Sequence, residues 1–175
     1  MKKAFQNTTI ISVILYLIFT IMNMCFSNEI LLTLSITFGT IFFHLGMRLL
    51  VGFIVDKIMK NEADYTRKWY QVGKIEAKIY KALKVKKWKV NMPTYELELF
   101  SLEKHTWDEI AQAMCQAEVV HEIICVLSYL PIFAAGVFGE LPVFVITSVL
   151  ASLFDLSFVM IQRYNRPRIV RMIKK

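Results

Sequence analysis

The chain has 175 residues, of which 56% are apolar and only 20% charged, and its mean hydropathy is +0.48. That excludes a disordered chain and departs from a small soluble domain, while the length accommodates one domain. The net charge of +7 is confined, because no charged residue falls in Ala4–Asn28, Ile30–Met47, Ile123–Gly139 or Leu141–Phe154.

About 20 mostly apolar residues cross a bilayer as a helix. The charge-free stretches predict four such spans, roughly 9–26, 30–55, 119–138 and 141–161. Ser27-Asn28-Glu29 and Gly139-Glu140 are too short to be anything but tight connections. The expected fold class is therefore all-α: an integral membrane protein, one domain over 1–175, with four transmembrane helices as two hairpins. Pro131 and Pro142 bend such helices without forbidding them. Span 1 is expected to stay uncleaved, since no small-x-small site follows Phe26.

Lys and Arg mark the cytoplasmic side of short loops. Of the 21 basic residues, twelve lie in 56–117, six in the tail from Arg163 to Lys175, and Lys2 and Lys3 at the start, while both hairpin tips have none. Both termini and residues 56–117 are thus expected in the cytosol. Cys25, Cys115 and Cys125 share no close spacing, which assigns them no disulfide and no metal.

Within the cytosolic segment, Trp69, Val72, Ile75, Ile79 and Leu83 recur at three- to four-residue steps over Tyr65–Lys89, with lysines on the remaining surface. This predicts a basic amphipathic helix on anionic headgroups, or else positive-inside bias alone. Nucleic acid is not an expected partner, because the basic residues sit beside spans. Asn91-Met92-Pro93 ends the helix, and the alternation over Tyr95–Phe100 fits strand and helix equally. Thr106-Trp107-Asp108-Glu109 is a capping box. It predicts a helix running unbroken to Pro131.

Ionisable residues in a span are costly and point to function. His44 and Arg48 lie four apart in span 2, Glu118 and His121 three apart where span 3 begins, and Asp155 in span 4, with Gln162-Arg163-Tyr164-Asn165-Arg166-Pro167-Arg168 following. All map to the cytosolic half. Together they predict a polar pocket at the inner leaflet, reachable from water and lipid. Glu118, His121 and Glu122 lack the His-Glu-x-x-His spacing of a zinc site, so no metal is assigned.

The heptapeptide 162–168 resembles the element that closes the glycosyl-4,4'-diaponeurosporenoate acyltransferase family, which are small bacterial membrane proteins. Lys86-Lys87-Trp88-Lys89, Ala117-Glu118-Val119-Val120-His121 and Leu130-Pro131 resemble further elements of that family in the same order. The resemblance covers roughly 80–171, and Glu122 stands where the family pattern has a tryptophan.

The resemblance implies a plasma-membrane enzyme that moves a fatty acyl group from a thioester donor, acyl-coenzyme A or acyl carrier protein, to a sugar hydroxyl of a membrane glycolipid, with no resident cofactor. A hydroxyl needs a base near neutral pH. His121 is the candidate base, and Glu118 the carboxylate expected to orient it, as in hydrolase triads. Arg163, Asn165 or Arg166 would serve the oxyanion or a donor phosphate. Gln162, Tyr164, Arg168, Lys87, Trp88, His44, Arg48 and Asp155 complete the expected substrate site. No Gly-x-Ser-x-Gly elbow is present, which points to direct transfer. A non-catalytic membrane scaffold or lipid-binding partner is the alternative. A transporter fits less well, because the outer half lacks polar residues.

Overall fold

The computed structural model describes residues 2–94, 97–139 and 141–174. Tyr95 and Glu96 of the ambiguous alternation, Glu140 of the second tip and Lys175 of the basic tail lie outside the described residues, and Leu97–Phe100 forms a 3-10 turn. The described residues are helical, without a strand among them: α1 (Lys2–Phe26), α2 (Glu29–Met59), α3 (Lys74–Ala82), α4 (Val85–Trp88), α5 (Trp107–Leu127), α6 (Ala135–Phe138) and α7 (Leu141–Ile173). Four stretches are long and apolar enough to cross a membrane: α1, α2, 107–138 and α7.

Local chemistry sets the helix ends. Asn28 caps α2, its side-chain oxygen accepting from the Ile30 and Leu31 amides at 2.8 and 3.4 Å. The capping box at Thr106 forms in both directions, with Glu109 N–H donating to Thr106 Oγ1 at 3.3 Å and Thr106 N–H to Glu109 Oε2 at 2.7 Å.

α1 lies along α2 through rings and small groups. Phe19 stacks on Phe38 at 5.5 Å, and Thr20 and Ser35 share a hydroxyl hydrogen bond of 2.7 Å. Gly39 admits the Tyr16 ring so closely that a Cβ there would meet it at 3.1 Å. Met47, Val51 and Val55 of α2 pack with Ile124 of α5 in the central apolar cluster. α7 turns Phe144, Ser148, Ser152, Asp155, Val159 and Arg166 inward. That spacing of three, four and seven keeps one helical stripe on α5. Large apolar residues such as Ile21, Leu50, Val126 and Leu150 stay exposed, as lipid-facing positions do.

The structure corrects two expectations of helix length, in α5 and over Tyr65–Lys89. α5 does not reach Pro131. It ends at Leu127, because Pro131 has no amide to give the Leu127 carbonyl; Ser128 closes the turn with its amide and hydroxyl on Ile124 O at 2.9 and 2.8 Å. A 3-10 turn over Leu130–Ala134 and then α6 complete the span. Gly139 follows at φ 74°, a backbone that suits glycine.

α7 continues as helix beyond the membrane span expected over 141–161, to Ile173. The heptapeptide 162–168 is therefore helical, with Pro167 inside it.

The helix expected over Tyr65–Lys89 is broken into a 3-10 turn at Lys68–Tyr70, an extended stretch to Gly73, α3, left-handed Lys84, and α4. The carbonyls of Trp69, Tyr70 and Gln71, which a continuous helix would use internally, accept instead from Arg163 and Arg166 of α7. Tertiary bonds override the periodicity.

Candidate active site

The site is built on the α5–α7 interface at the end of the bundle that carries residues 60–106. Glu118 is fully buried between two arginines one turn apart on α7. Arg163 Nη1 donates to Glu118 Oε1 at 2.5 Å, and Arg166 Nη1 bonds Oε2. Arg166 is itself only 2% exposed, and its guanidinium lies 5.0 Å over the Tyr70 ring.

Arg163 reaches further, with Nε and Nη2 on the two oxygens of Glu76 at 2.5 and 3.0 Å. Its remaining N–H groups go to Trp69 O at 2.8 Å and Gln71 O at 3.1 Å. A guanidinium has five N–H donors, and here all five are engaged. Burial opposes ionising Glu76, but the hydrogen bonds from Arg163 and Tyr80 outweigh it and hold the carboxyl below its usual range. Burial and the bond to Glu76 push the Tyr80 phenol up. This ladder clamps residues 69–80 onto α7.

Deeper in the bundle lies a second chain of bonds. Asp155 is fully buried and stands between Arg48 of α2, whose Nη2 bonds Oδ2, and His121 of α5, whose Nδ1 lies 2.9 Å from Oδ1. Arg48 Nη1 also donates to His44 O at 2.6 Å. The His121 ring stacks on Phe158 at 4.6 Å and 11°. An imidazole that gives an Nδ1–H to a carboxylate and carries no second proton has its lone pair on Nε2.

Comparison with known families decides the relationship. Residues 66–175, more than half of the chain, match the profile of the glycosyl-4,4'-diaponeurosporenoate acyltransferase family. The chain belongs to that family. No curated protein and no solved structure matches it.

The family match begins after α2, so Arg48 reaches Asp155 from outside the matched region. The expected pairing of Glu118 with His121 is corrected: both Glu118 oxygens are held by arginines, and Asp155 takes the orienting position. Arg163 is likewise corrected as a source of oxyanion donors, since none of its N–H groups is left.

The structure gathers Tyr164, Asn165 and Arg168 with Lys89 rather than with His121. Lys89 Nζ bonds Asn165 Oδ1. Trp88 Nε1 donates to Leu83 O at 3.0 Å within its own turn, Lys87 is exposed and Gln162 half-buried. His44 contributes its carbonyl, while both its ring nitrogens are buried without a hydrogen-bond partner. Glu122 accepts from Trp69 Nε1 at 3.2 Å.

Glu76, Tyr70 and Tyr80 were not expected in this network. One signal for Glu76 exists in the sequence, where it is the only acid between Tyr65 and Tyr95.

Proposed function

We propose that the chain transfers a fatty acyl group from a thioester donor to a sugar hydroxyl of a membrane glycolipid at the inner leaflet of a bacterial plasma membrane, with its termini and residues 56–117 in the cytosol. The observation that carries this reading is the bonded series Arg48–Asp155–His121, which leaves Nε2 as the free basic atom in a family of acyltransferases.

In this reaction Nε2 takes the proton of the acceptor hydroxyl as its oxygen attacks the thioester carbon. The tetrahedral intermediate collapses with loss of the sulfur. The leaving thiolate takes the proton back from Nε2, so an ester and a free thiol result. Asp155 fixes the tautomer and stabilises the imidazolium. Arg48 balances the Asp155 charge in a medium where an unpaired carboxylate is costly. No acyl-enzyme is required.

The test is purified protein in lipid nanodiscs, given labelled acyl thioester and candidate glycolipids. H121A should abolish transfer, and D155N should lower it by roughly 10²- to 10⁴-fold; circular dichroism checks that both remain helical, and D155N is expected to melt earlier than wild type because Arg48 loses its carboxylate. Undiminished turnover in H121A overturns the reading.

A further inference from the structure

The far part of α7 carries a charged cluster that the chemistry at His121 does not use. The turn after α4 brings Lys89 over Tyr164, with Nζ 5.1 Å from the ring centre and bonded to Asn165 Oδ1. The Arg168 guanidinium lies 4.1 Å from the centre of the same ring and donates to the Tyr164 phenol oxygen at 2.5 Å. Tyr80, itself buried, braces Tyr164 edge-on at 6.4 Å.

Two cations thus share one aromatic platform, with Lys86 three residues before Lys89. Arg48, Arg163 and Arg166 each have a carboxylate. Among the described residues, no carboxylate is paired with Lys86, Lys89 or Arg168. Burial, and then the charges of Arg168 and Lys86, all lower the pKa of Lys89. Cations held together without an anion repel one another, and a bound anion relieves that repulsion. A planar guanidinium beside a compact ammonium suits the oxygens of a phosphate.

We propose that Lys89 and Arg168, set on the Tyr164 ring, with Lys86 one turn before Lys89, form a binding site for a phosphate ester. As the anchor of the acyl donor, the site rests on the acyltransferase reading above. Ten residues of α7 separate Asp155 from Asn165, about 15 Å along the axis. A donor touching both ends must carry its phosphate on an arm well away from its thioester, as a phosphopantetheine thioester does. A phospholipid headgroup offers the same oxygens without the arm.

The experiment uses the full-length protein in two kinds of nanodisc. In phosphatidylcholine discs, coenzyme A binding is measured by calorimetry. In discs containing phosphatidylglycerol, lipid retained through detergent extraction is measured by native mass spectrometry. K89Q and R168Q should each weaken one of these probes about tenfold or more, R168K should recover part of the loss, and K81Q on exposed α3 should match wild type. Loss confined to coenzyme A identifies a soluble phosphate ester, and loss confined to phosphatidylglycerol identifies a headgroup. If both probes bind K89Q and R168Q as they bind wild type, with unchanged melting temperatures, the site does not exist. Acyl transfer is assayed on the same samples. Normal transfer with indifferent probes removes the site alone, whereas responsive probes without transfer remove the acyltransferase reading and leave the site.

Discussion

The two helix pairs of this molecule are held together by different physics. α1 and α2 meet through stacked rings, a glycine contact and one hydroxyl pair. α5 and α7 meet through two buried carboxylates, Glu118 held by Arg163 and Arg166, and Asp155 bonded to His121 and neutralised from outside the pair by Arg48 of α2. In hydrocarbon the first kind of contact is replaceable, because lipid tails are as apolar as the side chains they would displace. The second kind cannot open without stranding charge. The family match covers α5 and α7 and leaves out α1 and α2. Among the described residues, Arg48 alone crosses from the first pair into the charged network, so α2 supplies an ion that the other pair needs.

The largest break in that comparison should come from Glu118→Ala. Arg166 would lose its carboxylate while remaining buried against the Tyr70 carbonyl and ring. Removing one partner of a buried pair costs about 3–5 kcal/mol, read as unfolding of the protein in detergent micelles. The double variant Glu118→Leu with Arg166→Leu should recover much of that loss, because no charge is then left without a partner. A double variant as unstable as the single one would show that the ladder owes its stability to something other than charge balance.

The difference between the pairs was partly legible in the sequence. Charge-free runs marked the spans, and charges inside those spans singled out Arg48, Glu118, His121 and Asp155. Their partners were not legible. Glu118 and His121 are neighbours on one helix, and helical spacing alone pairs them. Which residue of α7 faces which residue of α5 depends on the register and rotation of two helices, and a single sequence carries no record of either. The break in the helix expected over Tyr65–Lys89 has the same origin: arginines almost a hundred residues away take the carbonyls of Trp69, Tyr70 and Gln71. Thr106 and Pro131 act locally, and for that reason the capping box was read directly and the fate of the helix before Pro131 nearly so.

A smaller effect sharpens the contrast from the water side. Glu76 is the one carboxylate of the ladder that lies outside the spans, and its pKa in the folded protein is lowered. A carboxyl with a lowered folded pKa adds stability above its unfolded value, and that stability is lost as pH falls through the folded one. Acidification below the ordinary glutamate range should therefore release residues 69–80 from α7 before the α1–α2 contact responds. Fluorescence of Trp69, in a background with Trp88 and Trp107 changed to Phe, follows the release. Glu76→Gln should remove the acid dependence, and an unchanged acid transition in that variant would assign it to another group.

The least disruptive change belongs to the first pair. Thr20→Val deletes the hydroxyl that bonds Ser35 and keeps the shape of the side chain. Interhelical hydrogen bonds of this type average about 0.6 kcal/mol in membranes, since the separated helices find other partners. Ser35 is buried, yet its hydroxyl can turn back to a carbonyl of its own helix, as Thr33, Thr37 and Thr40 on α2 do. Thr20→Val should thus lower stability in micelles by less than about 1 kcal/mol and leave acyl transfer unchanged. A loss as large as that of Glu118→Ala would mean that the α1–α2 contact is as hard to open as the charged one, and the division between an apolar anchor and an ionic working pair would fail.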